Sequence, residues 1–274
     1  MTPGLFPFVD IDLARRLERT EAHANARFVE SRARRMPDIG ACWIEVAGAY
    51  AMFDGVGSPC TQTFGLGLFE PVTDTALDTL EAFFTSRGSD TFHEVSPLAD
   101  PSALTLLNMR GYRPCELTSV LFQPLPSTVS DRASDSPVVV ARVTPAEHEI
   151  WAETALRGWG ELAEVREFMS SFGPTAAGAE DAHPFLARLD GVPVATGSLA
   201  IHSHVALLAG ASTVPEARGR GAQRALLAAR LQFAASRGCT IAMMGAAPGS
   251  SSQRNAERSG FRIAYTRIKW HRPA

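Results

Sequence analysis

The chain has few cysteines, little net charge and no long apolar run, and each shortage excludes a class of protein. Its four cysteines are scattered without a C-x-x-C pair, so neither a disulfide framework nor a zinc site is expected. A net charge of −3 at pH 7 gives no general attraction to nucleic acid or to an anionic membrane. No apolar run approaches the ~18 residues of a membrane-spanning helix, and the N-terminus lacks the layout of a signal peptide. We therefore expect a soluble, cytoplasmic protein that binds no metal.

Length and composition suit two domains of ordinary size. The chain has 274 residues, of which 45% are hydrophobic, enough for a sizeable core. Residues 123–137 contain three prolines and a run rich in serine and aspartate, which cannot form a packed element. The sequence therefore predicts a domain over 1–122, a linker over 123–137 and a second domain over 138–274.

Short patterns recur on the two sides of this linker. The pattern Phe-x-x-Ser-Arg-Gly at 83–88 returns at 233–238, and the pattern Gly-aromatic-Arg at 111–113 returns at 260–262. The order and the spacing of the two patterns are nearly the same in both places. A tandem duplication accounts for this similarity.

The most informative segment is 213–227, where an apolar strand runs into a loop of alternating arginine and glycine and then into a helix. A helix start offers unpaired N–H groups and a partial positive charge, which together suit a phosphate. Glycines let the backbone approach a ligand closely, and arginines add fixed cations. The residues concerned are Arg218, Gly219, Arg220, Gly221 and Arg224. We interpret the segment as a cradle for the diphosphate of a nucleotide-type cofactor.

Two better-known phosphate motifs do not fit this segment. It has no G-x-x-x-x-G-K-[ST] run, and its G-x-G is followed by neither the third glycine nor the acidic residue about 20 positions later that a dinucleotide site needs. An ordinary strand–loop–helix connection with exposed arginines is the remaining alternative. Glycine inside a helix start is costly without a reason, which disfavours that alternative.

The pattern Val214-x-x-x-Arg218-x-x-Gly221, followed by a leucine-rich helix, resembles the acyl-CoA loop of the GCN5-related N-acetyltransferases (GNAT). The pair Gly260-Phe261 is similar to the Gly-Phe that follows the last helix of that family. Gln223 departs from the pattern, because glycine or alanine is usual at its position. The resemblance covers about residues 137 to 274. It implies an α/β fold of two GNAT-like acyl-CoA N-acyltransferase units in tandem, each with helices on both faces of a central mixed sheet.

The resemblance implies transfer of an acetyl group from acetyl-CoA to a primary amine of a small molecule or peptide. Transfer would be direct, in a ternary complex, since no thiol or serine is placed as an acyl carrier. A backbone N–H of Thr213 or Val214 would stabilise the charge that develops on the acyl oxygen. Asn255 would contact the pantetheine arm, or it is a plain polar helix residue. The implied cofactor-binding residues are Thr213, Val214, Arg218, Gly219, Arg220, Gly221, Ala222, Gln223, Arg224 and Asn255.

The sequence leaves the catalytic acid and base open. In the family a tyrosine commonly protonates the departing thiolate, and its position falls on Ala256 in this sequence. Tyr265 and Ser252 are the alternative acids, or the thiolate leaves without an acid. Among several histidines and glutamates, His202 and Glu164 are the favoured bases. The missing tyrosine and base also motivate a rival hypothesis, a non-catalytic acyl-CoA-binding sensor or scaffold protein.

In the first half, residues 70–74 (Glu-Pro-Val-Thr-Asp) stand opposite residues 220–224 of the second half. Carboxylates at a helix start repel a diphosphate, and Thr73 with Asp74 reads as an ordinary helix N-cap. We therefore expect a degenerate first half with a structural role and no bound CoA. The expected partner is a small-molecule amine, with no nucleic acid and no membrane, and a homodimer remains open.

For the second half, the pattern predicts strands at 184–189, 194–202 and 205–214, with turns at 190–191 and 203, and a last strand at 263–270. It also predicts a helix over 161–172 followed by a loop over 173–182. Trp151, Trp159 and Phe168 either border an acceptor pocket or pack in the core at helical spacing.

Overall fold

A computed structural model describes residues 6–126, 137–159 and 163–274, without the side chains of 163–169. Most of the predicted linker and Glu161 therefore lie outside the described residues. Within the described ranges, every helix is too short or too polar to cross a membrane.

The described chain repeats one order of elements. Residues 6–126 contain α1 (Ile11–Arg35), β1 (Cys42–Val46), β2 (Ala49–Phe53), β3 (Gln62–Phe64), α2 (Asp74–Thr85), β4 (Thr91–Val95), α3 (Pro101–Met109) and β5 (Arg113–Pro124). Residues 137–274 contain β6 (Val138–Arg142), α4 (His148–Trp159), α5 (Ala163–Ala177), β7 (Ala182–Leu189), β8 (Val192–His202), β9 (Val205–Thr213), α6 (Ala222–Ser236), β10 (Ile241–Ala246), α7 (Ser251–Arg258) and β11 (Arg262–Arg272). The series strand–helix–strand–helix–strand occurs as β3 to β5 and again as β9 to β11, in agreement with a tandem arrangement.

The chain divides into two compact units. Of the described residues, the N-terminal unit holds 6–123 and 243–274, and the central unit holds 124–126, 137–159 and 163–242. The division falls within β10. It differs from the predicted boundaries, which assign 243–274 to the second half.

In the N-terminal unit the strand order is β1-β2-β3-β4-β11-β5. The pair β3–β4 is parallel and the other pairs are antiparallel, so the sheet is mixed. Strand β11 comes from the far end of the chain and lies between β4 and β5, where Trp270 pairs with His93 on one side and Pro114 on the other. The first half of the chain therefore completes its sheet with a strand from the second half.

A buried ionic cluster fixes β11 in this position. The Arg267 side chain is about 2% exposed and pairs with Glu18 at 3.2 Å and Glu21 at 2.9 Å on α1, and with Glu94 at 3.4 Å on β4. The Tyr265 hydroxyl donates to Glu18 Oε1 at 2.8 Å. A buried charge is tolerated only with partners, so these contacts bind β11 to α1 and β4 as a group.

Helix α2 packs an apolar stripe against one face of the sheet in the N-terminal unit. Leu77, Leu80 and Phe84 recur at helical spacing and are fully buried in one cluster with Tyr112 and Trp270. Removal of this apolar surface from water is the main stabilising contribution on this face.

The central unit is an antiparallel meander in the order β9-β8-β7-β6. Its hairpin turns lie where the sequence places them, with Asp190, Gly191 and Ser203 in the left-handed region. Ser212 faces Gly158 of α4 while Gly197 faces α6, and the two helices therefore cover opposite faces of the meander.

Helix α5 is longer than the sequence pattern indicates. The predicted loop over 173–182 is wrong for its first five residues, because the helix continues through Gly173 and Pro174 to Ala177. Gly173 lies so close to α4 that a Cβ there would be 3.0 Å from the Cβ of Ala152, and Thr175 is fully buried. Packing against α4 thus overrides two helix-breaking residues.

Candidate cofactor-binding site

The candidate site begins where β9 ends and α6 starts. Gly221 is the N-cap of α6, with φ at +84° and no side chain capping the helix. The helical ladder starts with Ala225 N–H donating to Gly221 O at 3.0 Å. The amides of the first turn, residues 222–224, therefore project from the helix start, where an anion is favoured.

The two glycines of the loop are required by backbone conformation. Gly219 and Gly221 have φ at +75° and +84°, in the left-handed region that L-residues rarely adopt. A Cβ built at either position would meet no atom within 4 Å. The space in front of the loop is therefore open, as a diphosphate would need.

Three arginines belong to this loop and to the first turn of α6. Arg218, Arg220 and Arg224 are all exposed. Arg218 Nη2 also lies 3.5 Å from the Gly158 carbonyl at the end of α4. Together with the positive end of the helix dipole, these guanidinium groups favour a ligand of high negative charge.

The departure at Gln223 has a structural explanation. Its side-chain Nε2 donates to Ser212 O at 2.6 Å and to Thr213 Oγ1 at 2.8 Å. The side chain therefore turns back onto the end of β9. It ties the helix start to the strand and does not obstruct the diphosphate position.

The structure separates the two amides predicted to stabilise the acyl oxygen. Val214 N–H donates to Val194 O at 2.9 Å, so it is already occupied, and the prediction for that amide needs correction. Because alternate amides of a strand point to opposite sides, the N–H of Thr213 points away from β8. Thr213 is therefore the candidate donor that remains.

A β-bulge precedes this donor. Thr196 pairs with Ser212, but the next pair is Ser198 with Ala209, so Gly210 and Ala211 lie opposite the single residue Gly197. Gly210 adopts φ at +61°, which is typical of a bulge that begins with a left-handed glycine. Bulges of this kind change the direction of the following backbone groups, here those of residues 212 and 213.

His202 lies too far away to be the base. It pairs with Val205 at the hairpin end, seven residues along β8 from Ala195, the partner of Thr213. At ~3.3 Å per residue this is about 23 Å, far beyond hydrogen-bond reach. The prediction of His202 fails on distance, although its side-chain chemistry suits a base.

Glu164 lies on α5, and its side chain is outside the described residues, so its role stays a prediction. Ser252 and Asn255 are exposed on α7 in the N-terminal unit, and the role of Asn255 also stays a prediction. Tyr265 belongs to the same unit and is buried there. Burial and the neighbouring Glu18 carboxylate raise the pKa of Tyr265 well above its usual value. This hydroxyl donates to Glu18, an arrangement that disfavours Tyr265 as the acid.

Trp151 is a core residue. It is 1% exposed, its indole N–H donates to Phe185 O at 3.0 Å, and it packs in a cluster with Ala155 and Leu186. The core alternative is therefore the right one for Trp151. Trp159 is 47% exposed at the end of α4, and the Phe168 side chain lies outside the described part of the chain.

The corresponding helix start in the N-terminal unit is closed by its own residues. Thr73 Oγ1 accepts the N–H of Ala76 at 3.2 Å as a helix cap. Asp74 pairs with Arg110 at 2.6 Å, and Asp100 N–H donates to Gly67 O at 2.8 Å. That this half binds no CoA stays a prediction.

Sequence reasoning missed one buried charge, Arg230 on α6. Leu226, Arg230 and Ala234 are the buried positions that recur every four residues on this helix. An arginine within an apolar stripe is a signal that could have been read from the sequence alone.

Comparison with known proteins agrees with this geometry. Residues 145–261 match the model of the acetyltransferase (GNAT) family. The GCN5-related N-acetyltransferase from Kribbella flavida is 21% identical and has a TM-score of 0.63, over 91% of this chain and 95% of that one. The tandem GNAT protein from the clavulanic acid biosynthesis pathway is 14% identical and has a TM-score of 0.58, over 82% of this chain and 78% of that one. The curated proteins compared with the chain contain no match.

At these identities the structural likeness shows the fold alone, and it extends over both halves of the chain. The family match covers the segment that holds the loop, the glycines and the arginines described above. Residues 145–261 therefore form a domain that matches the GNAT acetyltransferase family, within a chain whose fold is similar to that of a tandem GNAT protein.

Proposed function

We propose that the protein transfers an acetyl group from acetyl-CoA to a primary amine of a small molecule or peptide, by direct transfer in a ternary complex. One observation carries the proposal, namely the uncapped start of α6 behind two left-handed glycines and between three exposed arginines. Such a helix start lacks internal partners for its amides and is completed by an anion.

The residues present fit the diphosphate of CoA. The amides of 222–224 supply hydrogen bonds, and Arg218, Arg220 and Arg224 supply charge. Gln223 keeps the helix start against β9, so that the cradle and Thr213 are held in one fixed relation.

When bound, acetyl-CoA supplies the activated acetyl thioester. The Thr213 N–H is then the donor for the negative charge that develops on the acyl oxygen. We assign removal of the amine proton to Glu164, directly or through water. A thiolate with an ordinary pKa near ~8.5 leaves without an acid, which agrees with the occupied hydroxyl of Tyr265.

The test is release of free thiol from acetyl-CoA in the presence of a panel of amines, polyamines, amino acids and aminoglycosides. Turnover with at least one amine is expected, together with heat on titration with CoA. If CoA neither binds nor reacts, the proposed site is misassigned.

A second candidate is a non-catalytic acyl-CoA-binding protein. The observation that favours it is Ala256 at the place of the family's tyrosine, with Tyr265 engaged elsewhere. Binding of CoA without thiol release across the whole panel would favour this candidate over the enzyme.

A further inference from the structure

Arg230 is a buried cation without a carboxylate partner among the described residues. Its residue exposure is 3%, and its recorded hydrogen bonds all go to backbone carbonyls. Burial lowers the pKa of this guanidinium to about 10, which leaves it charged at neutral pH. Burying an uncompensated charge is costly, so the position demands a specific explanation.

The guanidinium lies directly against the bulge of β9. Nη1 donates to Ala209 O at 3.4 Å and to Ser198 O at 3.2 Å, and these two residues form the strand pair directly next to the bulge. Nε donates to Leu226 O at 3.3 Å on its own helix. Arg230 therefore connects α6 to both strands at the point where their register shifts.

The opposing residue makes room for this contact. A Cβ at Gly197 would lie 2.8 Å from Arg230 Cζ and 2.9 Å from Nη1. Gly197 has an ordinary φ, so glycine is needed here for space and not for backbone conformation. The small residue opposite the bulge and the large cation on α6 thus form one fitted arrangement.

The other face of the bulge is held by hydroxyl groups. Thr196 Oγ1 and Ser212 Oγ lie 2.8 Å apart, and Gln223 binds the Ser212 carbonyl at 2.6 Å. Residue 212 is thereby fixed from the side of α4 and from the helix start. The direction of the next amide, that of Thr213, depends on the bulge being held from both faces.

We infer that Arg230 is a positioning residue, which holds the β9 bulge in the register that directs the Thr213 N–H toward the acyl oxygen. The inference rests on the proposed function, because Thr213 matters to the reaction only if an acyl group is bound there. Arg230 does not touch the ligand in this assignment. A methionine of similar length would fill the same space without the cost of a buried charge, so packing alone does not explain arginine.

The test compares Arg230→Met and Arg230→Lys with a control variant, Arg237→Met. The control removes an exposed charge at the C-terminal end of α6. For Arg230→Met we expect kcat to fall by about tenfold to a hundredfold, the effect typical of a misplaced catalytic group. The KM for acetyl-CoA should stay within about threefold, because the diphosphate loop is unchanged. Arg230→Lys should recover part of the lost kcat, and Arg237→Met should match the wild type.

An unchanged kcat in Arg230→Met would overturn the inference. Equal losses in the Lys and Met variants, accompanied by a lower melting temperature, would overturn it as well, since they indicate a structural role only. If Arg230→Met does not fold, Gly197→Ala is the second variant, because its methyl group displaces the guanidinium and should lower kcat in the same way.

Amide hydrogen exchange separates this inference from the proposed function. In Arg230→Met, the amides of residues 210–213 should exchange at least about tenfold faster, while those of β7 keep their protection. If no amine is acetylated, the proposed function fails, and exchange alone still tests whether Arg230 holds the bulge. Unchanged exchange at 210–213 would then refute the positioning role.

Discussion

The starts of α2 and α6 occupy the same place in the two repeats, and they are built in opposite ways. α2 is capped by Thr73 and begins with Asp74, which is paired with Arg110. α6 begins behind Gly221 with no side-chain cap, and an arginine stands in its first turn. One helix start is completed by the protein itself, and the other leaves its first amides to the anion of the proposed cofactor. A duplicated fold can thus keep its architecture in both copies while only one copy keeps the proposed ligand chemistry.

The largest effect should come from deleting residues 262–274, which shows how far the first repeat depends on the second. The deletion removes β11 from between β4 and β5 and leaves Glu18 buried without Arg267. We expect the N-terminal unit to lose its cooperative unfolding transition, measured by circular dichroism during heating. Deleting only residues 273–274 is the control, and it should melt like the wild type. Persistence of the transition in the longer deletion would show that β11 is dispensable.

Arg224→Asp gives α6 the carboxylate that α2 has at its start. Reversing one charge beside a diphosphate should weaken CoA binding by about a hundredfold, measured by titration calorimetry. The loss should shrink at high salt, because the site is exposed. Arg237→Asp makes the same charge change at the far end of the helix and should leave the affinity nearly unchanged. Equal losses in both variants would mean that only net charge matters.

Gly221→Ala tests the backbone of the loop against a matched glycine. Gly221 and Gly191 both have φ near +80°, and a Cβ at either meets no atom within 4 Å. Alanine at either position should cost about 1 kcal/mol of stability through backbone strain. Only Gly221→Ala should also weaken CoA binding, by about tenfold, as its methyl group faces the diphosphate. A similar loss of affinity in Gly191→Ala would remove the distinction.

The smallest expected effect is a pH dependence of the stability of the N-terminal unit. Burial raises the pKa of Glu18 to about 7, against the opposing effect of Arg267. The folded state therefore keeps a proton that the unfolded state loses, so the contribution of Glu18 to stability declines as pH rises from about 4.5 to 7. The melting temperature of Glu18→Gln, minus that of the wild type, should increase by several degrees across this range. A difference that is constant with pH would contradict the assignment.

The sequence alone predicts the loop between β9 and α6, because all the residues that indicate it are adjacent in the chain. A strand, two glycines, three arginines and a helix follow one another within fifteen residues, and each has a physical reason to be there. The hairpin strands of the central unit were likewise predicted, since the turns at 190–191 and 203 are marked by the residues themselves.

The missed features depend on long-range packing. The sequence indicates a strand at 263–270 but not its neighbours, because strand pairing between distant segments leaves no local pattern. α5 continues past Gly173 and Pro174 because α4 packs against it. His202 suits a base by its residue type, and only the register of β8 shows that it lies about 23 Å along the strand from Ala195, the partner of Thr213.

The placement of β11 also determines when the fold can form. Tyr265 and Glu18, hydrogen-bonded in the folded protein, are 247 positions apart in the chain. A nascent chain emerging from the ribosome exposes β4 and β5 long before the strand that separates them has been synthesised. During that interval two strand edges are open to wrong partners. Translation speed and chaperones should therefore affect the yield of this protein more than its final stability does.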